Sequence, residues 1–277
     1  MDTYKKDSPP GKETTAMKLL LLSDIHGNRS AFLAVLDRAS RYPDIGACVL
    51  LGDLIDYGPH SNEVIRMASH LPWPVLCNLR GNHEDAILRE DYGRFSSERG
   101  KRSARHTAGI LDENSRHYIS QEMAPCGKKE FQYAGKNCLA VHGSLEDEYW
   151  KSISPEDSLT GYETCDYVFS GHSHLPHMME RYYPCVAGEG RNGGNPPPEE
   201  DASPEALRRL DRRKVIFINP GSVGQPRNLD PRAQFALLDM ETGQIIFEKA
   251  AYDIRAEQTA FDDRMDSFYC ERLRWGI

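Results

Sequence analysis

Residues 75–84 read Val-Leu-Cys-Asn-Leu-Arg-Gly-Asn-His-Glu, an apolar run that ends in a polar turn. The apolar part has the length and composition of a short buried strand, and the turn sets the amide of Asn82 beside the imidazole of His83. Taken alone, Gly81-Asn82-His83-Glu84 is more typical of a hydrogen-bonded loop than of a metal site. The stretch decides the fold only together with similar polar clusters elsewhere in the chain.

Four further clusters of Asp and His stand at or near the ends of apolar runs. They are Asp24-Ile25-His26 after 18–22, Gly52-Asp53-Leu54-Ile55-Asp56 after 47–51, His142 after 137–141, and Gly171-His172-Ser173-His174 after 167–170. In open α/β sheets, ligands bind beyond the carboxyl ends of the strands. The pattern is therefore typical of a metal site built at one edge of a sheet.

The first third of the chain alternates between strand and helix patterns. Between its three apolar runs lie two segments with helical spacing, 30–40 and 62–71, and Ser30 is a candidate N-cap. This β-α-β-α-β order predicts parallel strands in an α/β fold. A cap or turn role would explain Asp24, Asp53 or Asn82 singly, but three such residues in succession favour a site.

The rest of the chain predicts a flanking helical layer followed by more strands. Residues 84–121 are polar and predicted to be mostly helical, and 252–273 predict a closing charged helix. The predicted strands between these regions are 130–133, 137–141, 167–170, 214–218 and a hairpin of 233–239 with 244–248.

Three other segments are predicted to lie outside the packed body or on its surface. Residues 1–16 are polar and predict a disordered tail, which makes Met17 an alternative start. Residues 188–201 are rich in Gly and Pro and predict a surface excursion between Tyr183 and Arg213. The basic run Arg208-Arg209 with Arg212-Arg213-Lys214 is typical of a solvated helix face. Residues 17–277 are predicted to form one domain.

Composition restricts the classes of function. The 277 residues carry a net charge of −8, which argues against sequence-independent nucleic-acid binding but not against a nucleotide substrate held by metal ions. The seven cysteines are scattered without a Cys-x-x-Cys pair, so they predict neither a disulfide framework nor a thiolate zinc site. With no membrane-length apolar run and no signal pattern, we expect a cytoplasmic protein without membrane contact.

The polar clusters supply a mixed set of ligand atoms. Carboxylates, imidazoles and one amide oxygen suit Mn, Fe, Zn, Co or Ni better than Ca. A mononuclear site would need only three or four of them, whereas Asp53 could bridge two ions. Two ions ~3.5–4 Å apart polarise a phosphoryl oxygen and lower the pKa of water from ~15.7 toward neutrality. The candidate ligands are Asp24, His26, Asp53, Asn82, His142, His172 and His174.

In this order, Asp-x-His, Gly-Asp-x-x-Asp, Gly-Asn-His-Glu, a lone His and Gly-His-x-His resemble the motifs of the calcineurin-like metallophosphoesterase superfamily. The resemblance runs from Asp24 to His174, and the turn 219–227, Asn-Pro-Gly-Ser-Val-Gly-Gln-Pro-Arg, is similar to its small bacterial phosphodiesterase branch. It implies two stacked mixed β-sheets flanked by helices, a four-layer α/β sandwich.

The resemblance also implies roles for nine residues. His83 would be an unligated general acid facing the leaving group, and Asp56 would orient its ring. The first metal would be held by Asp24, His26, Asp53 and His174, and the second by Asp53, Asn82, His142 and His172.

The implied activity is that of a dinuclear metal-dependent phosphoesterase that uses a metal-bridging hydroxide, with manganese as the first choice of metal. Phosphodiesters or nucleotides are the expected small substrates, and a dinucleoside polyphosphate such as diadenosine tetraphosphate is the alternative. A protein Ser/Thr phosphatase is disfavoured because Asp56-Tyr57-Gly58 replaces the Asp-Arg-Gly of that branch, although Leu79-Arg80-Gly81 resembles it. A metal-binding scaffold is the non-enzyme alternative, and the completeness of the set argues against it.

The remaining histidines are assigned no role in the site. They lie outside the motifs and are expected on the surface or in structural contacts: His60, His70, His106, His117 and His177.

Overall fold

A computed structural model describes residues 17–184 and 212–277. The first of two five-stranded mixed sheets has the order β10-β9-β1-β2-β3, with parallel pairing among β1, β2 and β3 and antiparallel pairing of β9 with both neighbours. Its strands are β1 Lys18–Leu22, β2 Ile45–Leu50, β3 Val75–Asn78, β9 Ala233–Asp239 and β10 Ile245–Ala250.

The second sheet has the order β4-β5-β6-β8-β7 and is parallel at its centre and antiparallel at both edges. Its strands are β4 Lys128–Tyr133, β5 Lys136–Val141, β6 Tyr167–Ser170, β7 His177–Pro184 and β8 Arg212–Asn219. Two mixed sheets with flanking helices confirm the predicted α/β class.

Seven α-helices occur in the described residues, together with one π-helical turn at Tyr118–Glu122 and one 3₁₀ turn at Arg272–Arg274. They are α1 Arg29–Ala39, α2 Ser61–Ala68, α3 Asn82–Arg89, α4 Glu98–Ile110, α5 Glu113–His117, α6 Ile254–Gln258 and α7 Ser267–Glu271. Within this part of the chain, no helix combines the length and apolar character that crossing a bilayer requires.

Successive side chains of a strand point to opposite faces of the sheet and so belong to different layers of the core. In β1, Leu19 and Leu21 pack between the two sheets with Phe169 of β6, while Leu20 and Leu22 pack on the helical side. A strand buried on both faces therefore reads as a continuous apolar run. The outer face of the second sheet packs against the irregular segment 145–165, which supplies Leu159 among other buried residues.

The beginning of α1 differs from the prediction. Its N-cap is Asn28, whose Oδ1 accepts from the Ala31 amide at 3.0 Å. Ser30 lies inside the helix, and its amide donates instead to Glu257 Oε2 at 2.9 Å. The prediction of Ser30 as the cap was wrong because Asn28, already in the preceding turn, offers an acceptor two residues earlier.

The C-terminal region and β7 also differ from the sequence-based prediction. The prediction of a single closing helix over 252–273 was wrong. Helices α6 and α7 are one-turn helices separated by a turn, and they are capped by Asp253 and Asp266.

Strand β7 was not predicted, because exposed and half-buried residues alternate along an edge strand. Residues 212–214 begin β8 rather than a helix face. The predicted tail 1–16 and excursion 188–201, like Arg208 and Arg209, lie outside the described residues.

Candidate active site

The five sequence clusters meet at the carboxyl ends of parallel strands, as predicted, but these strands belong to both sheets rather than to one. The loops after β1, β2 and β3 face those after β5 and β6. The His26 amide donates to Asp53 O at 2.9 Å within the first set, and the His172 amide donates to Asp24 Oδ2 at 3.1 Å between the two sets. Eight of the nine predicted residues are at most 3% exposed, and His172 is partly buried.

Backbone strain is concentrated in these loops. Left-handed φ values between 49° and 71° occur at six of the nine predicted site residues, which are Asp24, His26, Asp53, Asp56, His172 and His174. Each such non-glycine residue costs on the order of 1–3 kcal/mol and persists only where its surroundings hold it. The fold therefore keeps these side chains in orientations that isolated turns would not favour.

Glu84 is a buried residue of the site to which the sequence analysis gave no role. Its carboxylate accepts the amides of Gly81, Asp53, Leu54 and Ile55 at 2.7–3.2 Å, and it is fully buried. It thereby ties the start of α3 to the loop that carries Asp53. The available signal was its position three residues after the N-cap Gly81, which is the spacing of a capping box.

Gly81 lets these two loops approach closely. A Cβ at this position would lie 2.1 Å from Asp53 Oδ1, so any side chain would displace the carboxylate. The His83 amide donates to the same oxygen at 2.9 Å, which leaves Asp53 Oδ2 to face the centre of the site.

Two groups of candidate ligand atoms flank Asp53. On one side, Asp24 Oδ1 lies 3.2 Å from His174 Nε2 and 3.8 Å from His26 Nε2. On the other, Asn82 Oδ1 lies 3.0 Å from His142 Nε2 and 2.9 Å from His172 Nδ1.

Asp53 Oδ2 belongs to both groups. It lies 3.7 Å from His26 Nε2 and 3.3 Å from His142 Nε2. His83 Nε2 is 3.9 Å away on a third side, so Asp53, His26 and His83 also form a cluster with metal-binding spacing.

The protonation of the imidazoles fits a bound cation. One ring nitrogen of each of four histidines faces a backbone carbonyl: His26 with Ile55, His142 with Leu51, His172 with Trp150 and His174 with Gln225, at 2.6–3.1 Å. Each can donate an N–H there, which leaves the other ring nitrogen as a lone pair pointing inward.

The inward lone pairs then meet other acceptors, since His26 Nε2 and His174 Nε2 are 3.2 Å apart and Asp24 Oδ1 is buried without a hydrogen-bond partner. Acceptors in such contact require a cation or protons between them. The donor set of nitrogen and oxygen atoms therefore fits divalent transition metals.

The charges of the buried side chains around Asp53 also fit a site for a divalent cation. Burial would raise the pKa of Asp53, but the neighbouring His142 and His83 outweigh it and hold the pKa well below its ordinary value. Burial likewise opposes charge on His142, but Asp53 outweighs it and raises the pKa of His142 to about 9, so that without an ion a proton takes the place of the cation on the inward nitrogen of this ring. Burial and His142 lower the pKa of His172 to about 4. The carboxylate of Asp53 thus remains ionised and draws positive charge into the site.

His83 and Asp56 form a separate pair beside the ligand groups. His83 Nδ1 donates to Asp56 Oδ2 at 2.7 Å, while Ser103 and Thr107 of α4 donate to Asp56 Oδ1 at 2.6 and 2.8 Å. Burial would lower the pKa of His83, but Asp53 and Asp56 outweigh it and raise the pKa. The predicted flanking helical layer thus reaches the site through Ser103 and Thr107, which the sequence analysis did not identify.

Aromatic rings fix the position of His83. Tyr57 contacts both His26 and His83, with ring centroids 4.6 and 4.5 Å apart, and Phe95 packs on His83 at 5.0 Å. Tyr269 of α7 stacks on Tyr57 at 4.2 Å. The C-terminal segment therefore forms part of the wall of the site, a contact that no local pattern indicated.

Arg80, which resembles a residue of the protein phosphatase branch, is engaged in structural contacts. Its guanidinium donates to the carbonyls of Ile119 and Ser120 at 2.8 and 2.6 Å. Among the histidines outside the motifs, His60 binds the buried Glu257 through Nδ1 at 2.8 Å. Within the part of the chain that the structure describes, His70 and His177 bond only to residues close in sequence.

A family model described as the calcineurin-like phosphoesterase superfamily domain matches residues 17–243. The chain therefore belongs to the calcineurin-like phosphoesterase superfamily, which is metal-dependent.

Two curated relatives differ in how much of the chain they match. An uncharacterized protein of Methanocaldococcus jannaschii is 25% identical over 260 residues, covering 93% of this chain and 98% of the relative. A symmetrical bis(5′-nucleosyl)-tetraphosphatase of Paracidovorax citrulli is 32% identical over 132 residues, covering 47% of this chain and 45% of that enzyme.

Two solved structures share the fold across most of the chain. A metallophosphoesterase from Sphaerobacter thermophilus has a TM-score of 0.65 at 24% identity and covers 94% of this chain and 99% of that one. A hypothetical protein from Pyrococcus horikoshii has a TM-score of 0.69 at 18% identity, with coverages of 94% and 98%.

Proposed function

We propose that this phosphoesterase hydrolyses phosphodiesters or nucleotides with two divalent transition-metal ions. The observation that carries the proposal is Asp53 Oδ2, which faces a ligand group on each side. The first ion would be held by Asp24, His26, Asp53 and His174, and the second by Asp53, Asn82, His142 and His172. When bound, such ions supply Lewis acidity toward a phosphoryl oxygen and lower the pKa of water.

The residues of the chain have three tasks in this proposal. The carbonyl-bonded histidines present fixed lone pairs, Glu84 holds the Asp53 loop in place, and His83 donates a proton to the leaving group from Nε2. Asp56 bonds Nδ1 of His83 and keeps that ring oriented, while Asp53 and Asp56 raise the pKa of His83 and so favour its protonated form. A scaffold would need neither this pair nor all seven ligands.

A second candidate is hydrolysis of a dinucleoside polyphosphate. The similarity to a symmetrical bis(5′-nucleosyl)-tetraphosphatase favours it, although that similarity spans less than half of either chain. The engagement of Arg80 with backbone carbonyls argues against a protein phosphatase, since that guanidinium already has partners.

We further propose that the bound ions are manganese and that the protein lies in the reducing environment of the cytoplasm. Among the described residues, the six cysteines are all free thiols, and four of them are buried. A nitrogen- and oxygen-rich donor set accommodates manganese as well as iron, zinc, nickel or cobalt.

One screen tests the proposal. Metal-free protein is loaded with Mn²⁺, its metal content is measured, and hydrolysis is followed on phosphomonoesters, phosphodiesters and diadenosine tetraphosphate. We expect about two ions per chain and metal-dependent turnover of diesters. Tight binding of two ions without turnover of any of these substrates would favour the scaffold instead.

A further inference from the structure

A turn that follows β8, residues 219–225, is bonded to the loop after β1. The Val223 amide donates to Ser23 O and the Gly224 amide donates to Asp24 O, both at 3.0 Å. These bonds attach the turn to the loop that carries Asp24, which belongs to the first group of candidate ligands.

The same turn is also bonded to the loop after β6. Asn219 Nδ2 donates to Gly171 O at 2.7 Å, and His174 Nδ1 faces Gln225 O at 2.6 Å. Since β1 and β6 belong to different sheets, the turn connects the two sheets at Asp24 and His174.

The hydroxyl of Ser222 links the two sets of contacts. This fully buried group donates to Asp24 O at 2.7 Å and accepts from the Gln225 amide at 2.8 Å. One side chain thus bonds both the backbone of Asp24 and the residue whose carbonyl faces His174. Removing the hydroxyl would take from the Gln225 amide an acceptor that water cannot readily replace in a buried position.

Asp24 and His174 both need such support from their surroundings. Their φ values are 53° and 59°, in the left-handed region, where a residue other than glycine persists only if its neighbours hold it. An N–H at His174 Nδ1 that donates to Gln225 O leaves Nε2 to face Asp24 Oδ1, 3.2 Å away. The turn therefore holds the two ligand atoms opposite each other.

The second group of candidate ligands is supported by other segments. Outward-facing ring nitrogens of His142 and His172 lie against carbonyls elsewhere in the chain, and their inward ones meet Asn82. In the part of the chain that the structure describes, no hydrogen bond joins residues 219–225 to any of these three side chains.

We propose that Ser222 is a positioning residue for the first metal ion and not for the second. The inference rests on the proposed two-ion function and adds to it a residue outside the ligand set. By holding Asp24 and Gln225 together, the hydroxyl sets the distance between Asp24 Oδ1 and His174 Nε2. Loss of such an outer partner of a ligand lowers metal affinity about 10- to 100-fold.

Titration of the metal-free protein with Co²⁺, followed by its visible absorption, tests the inference without turnover. We expect wild type to bind two ions and Ser222→Ala to bind one of them about 10- to 100-fold more weakly, with the other affinity unchanged. In an Asp24→Asn background, where the first ion is already lost, Ser222→Ala should have no further effect on metal affinity. Parallel weakening of both ions would indicate a general structural role and would overturn the inference.

The matched control is Ser115→Ala, which removes a hydroxyl from α5, a helix that supplies no candidate ligand. Ser115 is 1% exposed, and its hydroxyl has no hydrogen-bond partner among the described residues. Both ions should bind to this variant as they bind to wild type, and equal affinities in Ser222→Ala would contradict the proposal. Melting temperatures of the metal-free variants check folding. If Ser222→Ala does not fold, Ser222→Thr, which keeps the hydroxyl, should fold and bind both ions, and weakening of both ions in it would again count against the inference.

Nitrogen-15 NMR of the histidine rings in metal-free protein gives a second readout that needs neither metal nor turnover. At about pH 8, wild type should show His174 protonated at Nδ1, because that nitrogen faces Gln225 O. The tautomers of His174 should mix in Ser222→Ala, while the signals of His142, whose Nδ1 faces Leu51 O, should not change. Unchanged His174 signals would overturn the inference. If wild type binds fewer than two ions, the proposed function fails, whereas the NMR comparison still decides whether Ser222 positions His174.

Discussion

Asp24 and Asp53 differ in what surrounds them rather than in chemistry or backbone. Both are buried carboxylates with φ near +54°, a conformation that asparagine also tolerates. Asp24 borders one group of ligand atoms, whereas Asp53 lies between two. Replacing each aspartate by asparagine keeps the shape of the side chain. The two variants therefore differ only in the position from which the charge is removed.

Asp53→Asn is expected to lose both metal ions, and Asp24→Asn only the ion of the first group. The amide removes the charge and weakens the oxygen as a ligand, and only Asp53 serves both groups. Metal content measured by mass spectrometry on the purified variants checks this. Two ions per chain and normal turnover in Asp53→Asn would show that this carboxylate does not bridge.

His83→Ala is expected to keep both ions and to lose proton delivery. The loss should be of order 10²–10⁴ for an alkyl or nucleoside ester, whose leaving group needs a proton, and much smaller for a p-nitrophenyl ester. Asp56→Asn should show a milder version of this pattern, because it only orients the ring.

Both ester types are measured at equal metal content, so that the aryl ester serves as the internal control. An equal loss on both esters, or a missing ion in His83→Ala, would mean that His83 is itself a ligand. Its spacing to Asp53 and His26 permits that role.

At the scale of elements, α6 is attached to the start of α1 by one buried carboxylate. Glu257 is fully buried and accepts the amides of Arg29 and Ser30 together with His60 Nδ1, at 2.8–3.2 Å. The hydrogen bond to Glu257 raises the pKa of His60, against the opposing effect of burial. Burial would raise the pKa of Glu257, but the bonds from His60 and Ser30 outweigh it and lower the pKa.

The attachment of the C-terminal segment is therefore expected to weaken as the pH rises. Because the pKa of His60 is higher in the folded state, its contribution is complete below the unfolded pKa and is lost as the pH passes the folded one. The Glu257 contribution behaves oppositely and is lost only in acid.

Hydrogen exchange over 252–273, compared at about pH 6 and about pH 9 after correction for intrinsic rates, measures this change. His60→Gln should remove most of the pH dependence, while His70→Gln, an exposed control after α2, should retain it. The same pH dependence in both variants would exclude His60 as its source.

At the scale of the whole molecule, the candidate site joins the two sheets. Its candidate ligands follow β1, β2 and β3 in one sheet and β5 and β6 in the other, so unfolding of either sheet would separate the members of both groups. Metal binding to the native state alone must then stabilise the entire fold.

Free Mn²⁺ at about 100 times its Kd is expected to stabilise the native state by about 2.7 kcal/mol for each ion bound. For a chain of this size, that corresponds to a rise in Tm of roughly 5–10 °C per ion, which a chelator should reverse. Scanning calorimetry of wild type and Asp53→Asn, with and without Mn²⁺, measures the difference. A shift of the same size in Asp53→Asn would place the stabilising ion elsewhere.

The fold class and the meeting of the nine residues could be predicted from sequence because both depend on local patterns. Buried strands read as apolar runs, a polar turn follows each carboxyl end, and parallel strands bring those ends to one edge. Their roles as ligands, acid and positioning group stay predictions.

Tertiary structure alone decided the surroundings of these residues. The four amides on Glu84 and the Tyr57–Tyr269 stack join segments distant in sequence through backbone geometry and packing. The same cause divided the predicted C-terminal helix, since that segment folds against α1 at Glu257 and against Tyr57 at Tyr269. Local periodicity cannot encode such contacts, because they depend on how the two sheets and the terminal segment pack together.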